Sequence, residues 1–241
     1  MSKPSLIAID GPAAAGKTTL AHQVAERLGY LYFDTGVMYR AVTLAALERG
    51  IDISDEAAIS ALAEQVEIDV RPPTVDDGRT STVYLDGEDV TNRLFSAAVD
   101  ASVSAVSAYP GVRAAMTRQQ RRIGERGQVV MVGRDIGTVV FPDADLKIYL
   151  DASVETRARR RWQDYQAKGQ DGSYEDILAS MRQRDRIDSQ REIAPLRPAR
   201  DAIVIDTTNM DAGAVLEYVL KIVESRDCDR VASSREAEGD D

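Results

Sequence analysis

Near its start the chain reads Ser5-Leu6-Ile7-Ala8-Ile9-Asp10, followed at once by Gly11-Pro12-Ala13-Ala14-Ala15-Gly16-Lys17-Thr18-Thr19-Leu20. A short apolar run feeding into the spacing G-x-x-x-x-G-K-T leaves little freedom in fold. Successive backbone N–H groups of such a loop curl around an anion, and the helix behind it turns its N-terminus toward the same anion. In that setting Lys17 can reach the β- and γ-phosphates of a nucleotide, and the Thr18 hydroxyl can face a magnesium ion. The flanks agree with this context. Leu20, Val24 and Leu28 recur every four residues beside Ala21 and Ala25, which predicts a helix with one apolar face that Gly29 ends.

The rest of the chain extends the same pattern. Tyr30-Leu31-Tyr32-Phe33 reads as a short buried strand, Asp34-Thr35-Gly36 follows, and a helix runs through Met38, Val42, Leu44, Ala45 and Leu47 to Gly50. A weaker helix is expected over residues 55–65. Between residues 66 and 90 the texture changes: Glu67-Ile68-Asp69-Val70 alternates, Arg71-Pro72-Pro73 and Asp76-Asp77-Gly78 are turns, and Thr82-Val83-Tyr84-Leu85 is rich in β-formers. A small antiparallel insertion of two or three strands fits these signals. Helical character returns over residues 97–125, with a break or bend at Pro110. Three more apolar runs follow, at Val129-Val130-Met131-Val132, Leu146-Lys147-Ile148-Tyr149-Leu150-Asp151 and Ala202-Ile203-Val204-Ile205-Asp206, and the last helix spans residues 212–224. Five apolar runs interleaved with helices predict an α/β fold, a five-stranded parallel sheet between helices. Ligands of such sheets sit beyond the carboxyl ends of the strands. Those ends carry polar groups here: the loop itself, Asp34-Thr35, Arg134-Asp135, Asp151 and Asp206-Thr207.

The expected layout is a kinase-type core over residues 1–65 and 97–225, the β insertion over 66–96, and a disordered acidic tail over 226–241. A lone cysteine, Cys228, excludes an internal disulfide and any cysteine metal cluster, and favours a reducing cytosol. No apolar run reaches the ~20 residues of a membrane span, and no secretory signal is expected, so the location read from the sequence is cytoplasmic. The net charge of −10 argues against nucleic acid as a partner. Arginine is nonetheless concentrated over residues 157–200, at Arg157, Arg159, Arg160, Arg161, Arg182, Arg184, Arg186, Arg191, Arg197 and Arg200. An acidic protein that gathers arginine in one region is suited to small, highly charged anions.

The phosphate loop alone does not separate a kinase from a GTPase or a motor. A GTPase needs an N-K-x-D guanine reader, and none of Lys3, Lys17, Lys147, Lys168 and Lys221 sits in one. A motor usually needs more chain. A small-molecule kinase remains, in which arginines clamp both the donor and an anionic acceptor.

Several segments carry a closer likeness. They are Ile9-Asp10-Gly11-Pro12 with the loop, Asp34-Thr35-Gly36-Val37-Met38-Tyr39-Arg40, Leu85-Asp86-Gly87-Glu88-Asp89-Val90, and Val103-Ser104-Ala105-Val106 through Pro110-Gly111-Val112-Arg113. Then come Gly133-Arg134-Asp135-Ile136-Gly137-Thr138-Val139-Val140-Phe141-Pro142-Asp143, Arg184-Asp185-Arg186-Ile187-Asp188-Ser189 and Ala194-Pro195-Leu196. On these the chain resembles the bacterial cytidylate kinases over residues 5–223. The resemblance implies a P-loop NTPase core with a monophosphate-binding insertion and a short arginine-rich lid at about 155–172. It implies transfer of the ATP γ-phosphoryl group to CMP or dCMP with Mg²⁺; a monomer is expected. Residues 11–19 would hold ATP and Thr18 the metal; Lys17, Arg134, Arg157 and Arg161 would act in catalysis, with Arg159 and Arg160 as further lid arginines. Arg40 and Arg134 would bind the acceptor phosphate. Ser104, Arg113 and Asp135 would read the cytosine, Arg184 and Asp188 would hold the ribose with Arg191 close by, and Thr35 would line the same pocket. The chain departs from the family at Val132, where an acid usually precedes Gly-Arg-Asp. Magnesium would then rely on Asp10, Asp135 or water. Within enzymes the competing reading is a P-loop kinase acting on UMP or a coenzyme precursor; outside them it is a nucleotide-dependent binding protein.

Overall fold

The structure, a computed structural model, describes residues 3–167, 169, 171–191 and 193–237. In chain order its elements begin with β1 (Leu6–Asp10), α1 (Lys17–Leu28), β2 (Leu31–Asp34), α2 (Gly36–Glu48) and α3 (Glu56–Gln65). The insertion supplies β3 (Ile68–Arg71), β4 (Thr82–Leu85) and β5 (Glu88–Asp89), then α4 (Ala97–Val106) and α5 (Pro110–Gly124) follow. The remainder is β6 (Val129–Val132), β7 (Leu146–Asp151), α6 (Val154–Ala167), α7 (Tyr174–Gln190), β8 (Ile203–Asp206) and α8 (Ala212–Ala237). Five strands form one parallel sheet in the order β2-β6-β1-β7-β8, flanked by helices, as the apolar runs predict. The chain divides into two compact units, residues 1–30 with 132–241, and residues 31–131.

In the first unit, β1 is buried along its whole length, the signature of a strand covered on both faces. Its register with β7 pairs Ile7 with Leu146 and Asp10 with Tyr149, and β7 in turn pairs Asp151 with Asp206 of β8. The acidic strand ends Asp10, Asp151 and Asp206 therefore lie at one end of these three strands. Gly29 ends α1 in the left-handed conformation, at φ 71°, with its N–H on the last turn of the helix. Buried Lys147 of β7 is paired with Asp201 at 2.7 Å, which satisfies a charge that would be costly in isolation.

In the second unit, Asp55 caps α3 by accepting from Ala58 N at 3.0 Å, and Pro110 opens α5, where its missing N–H costs nothing. The helical stretch 97–125 is thus two helices divided at the proline. The insertion is a three-stranded antiparallel sheet in the order β3-β4-β5. Asp86 and Gly87 both have positive φ, which makes the tight two-residue turn between β4 and β5.

Two features depart from the sequence reading. The last helix does not stop at Glu224 but continues to Ala237. Nothing over residues 225–237 breaks a helix, since the stretch contains neither glycine nor proline. Residues 238–241 lie outside the described residues, as do Lys168 and Gln170 within the expected lid. The other departure is a short helical turn of wide pitch at Ile136–Val140, directly after Arg134-Asp135, which no periodicity announces.

Candidate active site

The phosphate loop has the shape its spacing demands. Gly11 has φ 146°, and a Cβ there would lie 2.1 Å from the Leu150 carbonyl oxygen of β7, so only glycine fits. Gly16, at φ 93°, precedes α1 with no side chain capping the helix, which leaves its first N–H groups to an anion. Lys17 is buried and its Nζ donates to Pro12 O at 2.6 Å, which folds the ammonium back over the loop. Thr18 is exposed. A cavity of about 560 Å³ opens here, lined by residues 14–20 and by Leu150, Arg160, Arg161, Asp164, Thr207, Met210, Asp211, Ala212 and Val215. All of these belong to the first unit.

Three arginines of α6 take different places around that cavity. Arg157 is buried: Nε donates to Ala152 O at 2.9 Å, NH1 to Ala13 O at 3.2 Å, and both terminal nitrogens grip Asp185 of α7 at 3.1 and 2.6 Å. A guanidinium so fully engaged braces the phosphate loop. Arg160 donates to Thr207 Oγ1 at 3.1 Å, to Thr207 O at 2.6 Å and to Met210 O at 3.4 Å. Thr207 Oγ1 is also 3.1 Å from Asp151 O and 3.4 Å from Ala15 O. Arg161 lines the cavity with its guanidinium 5.2 Å from the Tyr165 ring centre. Among the described residues, no hydrogen bond, ion pair or ring contact assigns Arg159 a task.

A second cluster in the same unit gathers around Asp188 on α7. Arg134 Nε donates to its Oδ2 at 3.0 Å, Arg191 NH1 lies 3.7 Å from Oδ1, and Arg184 Nε lies 4.0 Å from Oδ2. One carboxylate faces three guanidiniums, so the cluster carries excess positive charge of the kind that accepts a phosphate. The turn that presents Arg134 and Asp135 is pinned from below by Asp10, whose oxygens accept from Ile136 N at 2.9 Å and Gly137 N at 2.7 Å. Burial pushes the Asp10 carboxyl up to about 6 despite those two N–H bonds. Gly137 permits this approach, because a Cβ there would lie 3.2 Å from the Lys147 stem and 3.5 Å from the Asp10 carboxylate. Asp135 and Val132 are both buried.

The remaining expected acceptor residues, Thr35, Arg40, Ser104 and Arg113, lie in the second unit. Thr35 is buried at the start of α2. Arg40 NH1 donates to Asp100 at 2.6 Å and to Leu94 O at 3.1 Å, with its guanidinium 4.9 Å from the Phe95 ring centre. Arg113 is buried, donates to Ser107 O at 3.3 Å and lies 5.8 Å from the Tyr39 ring centre. Ser104 is exposed on α4.

Sequence reasoning brought out every arginine of the Asp188 cluster but missed the partners that hold the others: Asp185 for Arg157, Asp100 and Phe95 for Arg40. It gave Arg160 no role beyond the lid. The only advance signal for Thr207 was its place just past the end of a strand.

A family model described as cytidylate kinase matches residues 7–225. A cytidylate kinase of Chloroflexus aggregans is 56% identical over 220 residues, covering 91% of this chain and 94% of that one. That of Bacillus licheniformis is 49% identical over 226 residues, covering 94% and 99%, and that of Bacillus subtilis 45% identical over the same length. Among solved structures, an uncharacterised protein from Eubacterium ventriosum superposes with a TM-score of 0.50 at 11% identity, covering 91% of this chain and 98% of that chain, a likeness of fold alone. A match of this extent, at close to half of all positions, places the chain in the cytidylate kinase family.

Proposed function

We propose that the protein transfers the γ-phosphoryl group of ATP to CMP or dCMP, giving ADP and CDP or dCDP. The observation that carries this reading is the family match across residues 7–225. The cavity at the phosphate loop and the arginine cluster at Asp188 supply chemistry that suits it. In the cavity, the loop N–H groups and Lys17 hold the donor phosphates. The residues suit a magnesium ion that comes with the nucleotide: Thr18 offers a hydroxyl, and among the described residues no group of three or more His, Cys, Asp or Glu could hold a metal alone. When bound, such an ion would supply positive charge that offsets the charge of the phosphates.

Arg40 and Arg134 bind the acceptor phosphate. That group is already an oxyanion near pH 7, with a second pKa of roughly 6, so no general base is required. The chain's task is to align two phosphates and balance their charge. Asp135 and Ser104 accept from the cytosine N4 amino group while Arg113 donates to N3 and O2. Uracil reverses the pattern at N3 and position 4 and leaves buried groups mismatched, the situation in which hydrogen-bonding pockets discriminate most strongly. Arg184 and Asp188 hold the ribose, with Arg191 beside them and Thr35 lining the pocket. Arg161 reaches the transferring group, whereas Arg157 acts from beneath the loop.

The test is phosphoryl transfer from labelled ATP to a panel of nucleoside monophosphates. CMP or dCMP is expected to outpace UMP and AMP, with CDP recovered in step with ADP. Faster use of UMP or AMP overturns the substrate assignment, and ADP release without CDP overturns the transferase.

A further inference from the structure

Arg40 is held by one short segment of its own unit. Residues 94–100 supply a backbone carbonyl, an aromatic face and a carboxylate to it. Leu94 is fully buried, so its carbonyl is fixed where it accepts from Arg40 NH1 at 3.1 Å. Asp100 accepts from the same nitrogen at 2.6 Å, from the first turn of α4, where its negative charge also suits the helix N-terminus. Phe95 lies against the guanidinium at 4.9 Å from ring centre to Cζ. Phe95 is 61% exposed. A lone exposed phenylalanine is ordinary; one seated on an arginine face gives up contact with water on that side for an attraction to the cation.

The two hydrogen bonds fall on one corner of the guanidinium. NH1 carries both, and Cζ lies over the Phe95 ring. Among the described residues the Nε and NH2 atoms donate to nothing. That edge, with two parallel N–H groups, is the one that grips a phosphate in bidentate fashion. An unrestrained arginine would sample many rotamers, and binding would cost the entropy of selecting one. The geometry points to Phe95 and Asp100 as positioning residues that hold Arg40 with its Nε/NH2 edge presented to the acceptor phosphate. This rests on the assignment of Arg40 to that phosphate.

The opposite outcome for Asp100, repulsion of the incoming phosphate, has to be weighed. Its side chain is 54% exposed, so solvent weakens its field on a more distant phosphate, while the 2.6 Å bond to Arg40 acts at contact. Orientation outweighs repulsion.

The test compares Phe95→Leu, Phe95→Tyr, Asp100→Ala and Arg40→Ala in steady-state assays, with cytidine as a competitive inhibitor that occupies the nucleoside pocket without a phosphate. Phe95→Leu and Asp100→Ala are each expected to raise KM for CMP about three- to tenfold, with kcat within about twofold and the inhibition constant of cytidine unchanged. Phe95→Tyr, which keeps the ring, stays at the original KM. Unchanged KM in Phe95→Leu and Asp100→Ala, with a raised KM in Arg40→Ala, overturns the positioning role and leaves the substrate assignment standing. Unchanged KM in all three places Arg40 away from the phosphate and removes the premise. A parallel loss of cytidine binding makes the effect one of pocket shape and equally overturns the inference.

Discussion

Arg157 and Asp185 form a two-pronged ion pair, at 3.1 and 2.6 Å, between a guanidinium that is 4% exposed and a carboxylate 28 residues further along the chain. Through a further bond, to Ala13 O, the same arginine props the phosphate loop. A pair with one member so deeply buried is hard to break from one side, because the abandoned charge keeps its desolvation cost. Asp185→Ala is expected to lower stability by about 3–5 kcal/mol. The double variant Asp185→Ala with Arg157→Met removes the stranded charge and recovers a large part of that loss. Denaturant unfolding of the two variants measures both quantities; a double variant no more stable than Asp185→Ala alone refutes the account.

Asp10 combines burial with a task. Its carboxyl titrates at about 6 in the folded chain against 3.8 when unconstrained, because burial disfavours the ion more than the Ile136 and Gly137 N–H groups favour it. The folded state therefore binds this proton more tightly than the unfolded state. Ionisation costs stability at neutral pH, and the cost is relieved as pH falls through 6 toward 3.8. In buffer free of metal and nucleotide, the stability of the chain relative to its Asp10→Asn variant should rise by about 1–2 kcal/mol between about pH 7.5 and about pH 5. A difference that stays flat across that window contradicts the assignment.

Much of this fold is written in local pattern. The apolar runs that became β1, β6, β7 and β8, the capping of α3 by Asp55 and the opening of α5 by Pro110 are each set by neighbours within a few residues. The phosphate loop was legible because its spacing is itself the signal, and the residues of the Asp188 cluster were legible only through the segments that resemble the cytidylate kinases. What did not show is pairing across distance. Nothing near Arg157 points to Asp185, and nothing near Arg40 points to Phe95 and Asp100, because burial and partner choice are decided only when helices pack. The turn at Ile136–Val140 was hidden for a related reason: its shape answers to Asp10, more than a hundred residues earlier, and its own sequence reads as an ordinary apolar run.

Gly11 and Gly16 look alike in the sequence and should respond differently to alanine. A methyl group at Gly11 meets the Leu150 carbonyl at 2.1 Å, and that oxygen belongs to a central strand that cannot retreat. At Gly16 a Cβ meets nothing within 4 Å, and only the backbone conformation is strained. Gly11→Ala is expected to cost about 2 kcal/mol or more in stability, and Gly16→Ala about 1 kcal/mol. Thermal or denaturant unfolding of both, without ligand, decides the matter; equal losses show that the loop shifts away from β7 at little cost.

Thr207 stands where three parts of the cavity at the phosphate loop meet. Its hydroxyl accepts from Arg160 of α6 at 3.1 Å and lies within reach of Asp151 O at the end of β7 and Ala15 O in the phosphate loop. It is buried, so no water replaces a lost partner. Thr207→Val keeps the shape and deletes the hydroxyl, leaving an arginine N–H short of one acceptor and the segment before α8 less firmly tied to the loop. If this cavity holds ATP, the change should raise KM for ATP roughly tenfold, the cost of one or two buried hydrogen bonds. KM for CMP stays within about twofold, since none of these contacts involves an acceptor residue. Arg160→Lys should behave similarly, because a lysine cannot span Thr207 Oγ1, Thr207 O and Met210 O with one ammonium. Matched initial-rate measurements against each nucleotide separate the two halves of the chemistry. A rise in KM for CMP equal to that for ATP means that Thr207 supports the whole fold and has no particular claim on the donor.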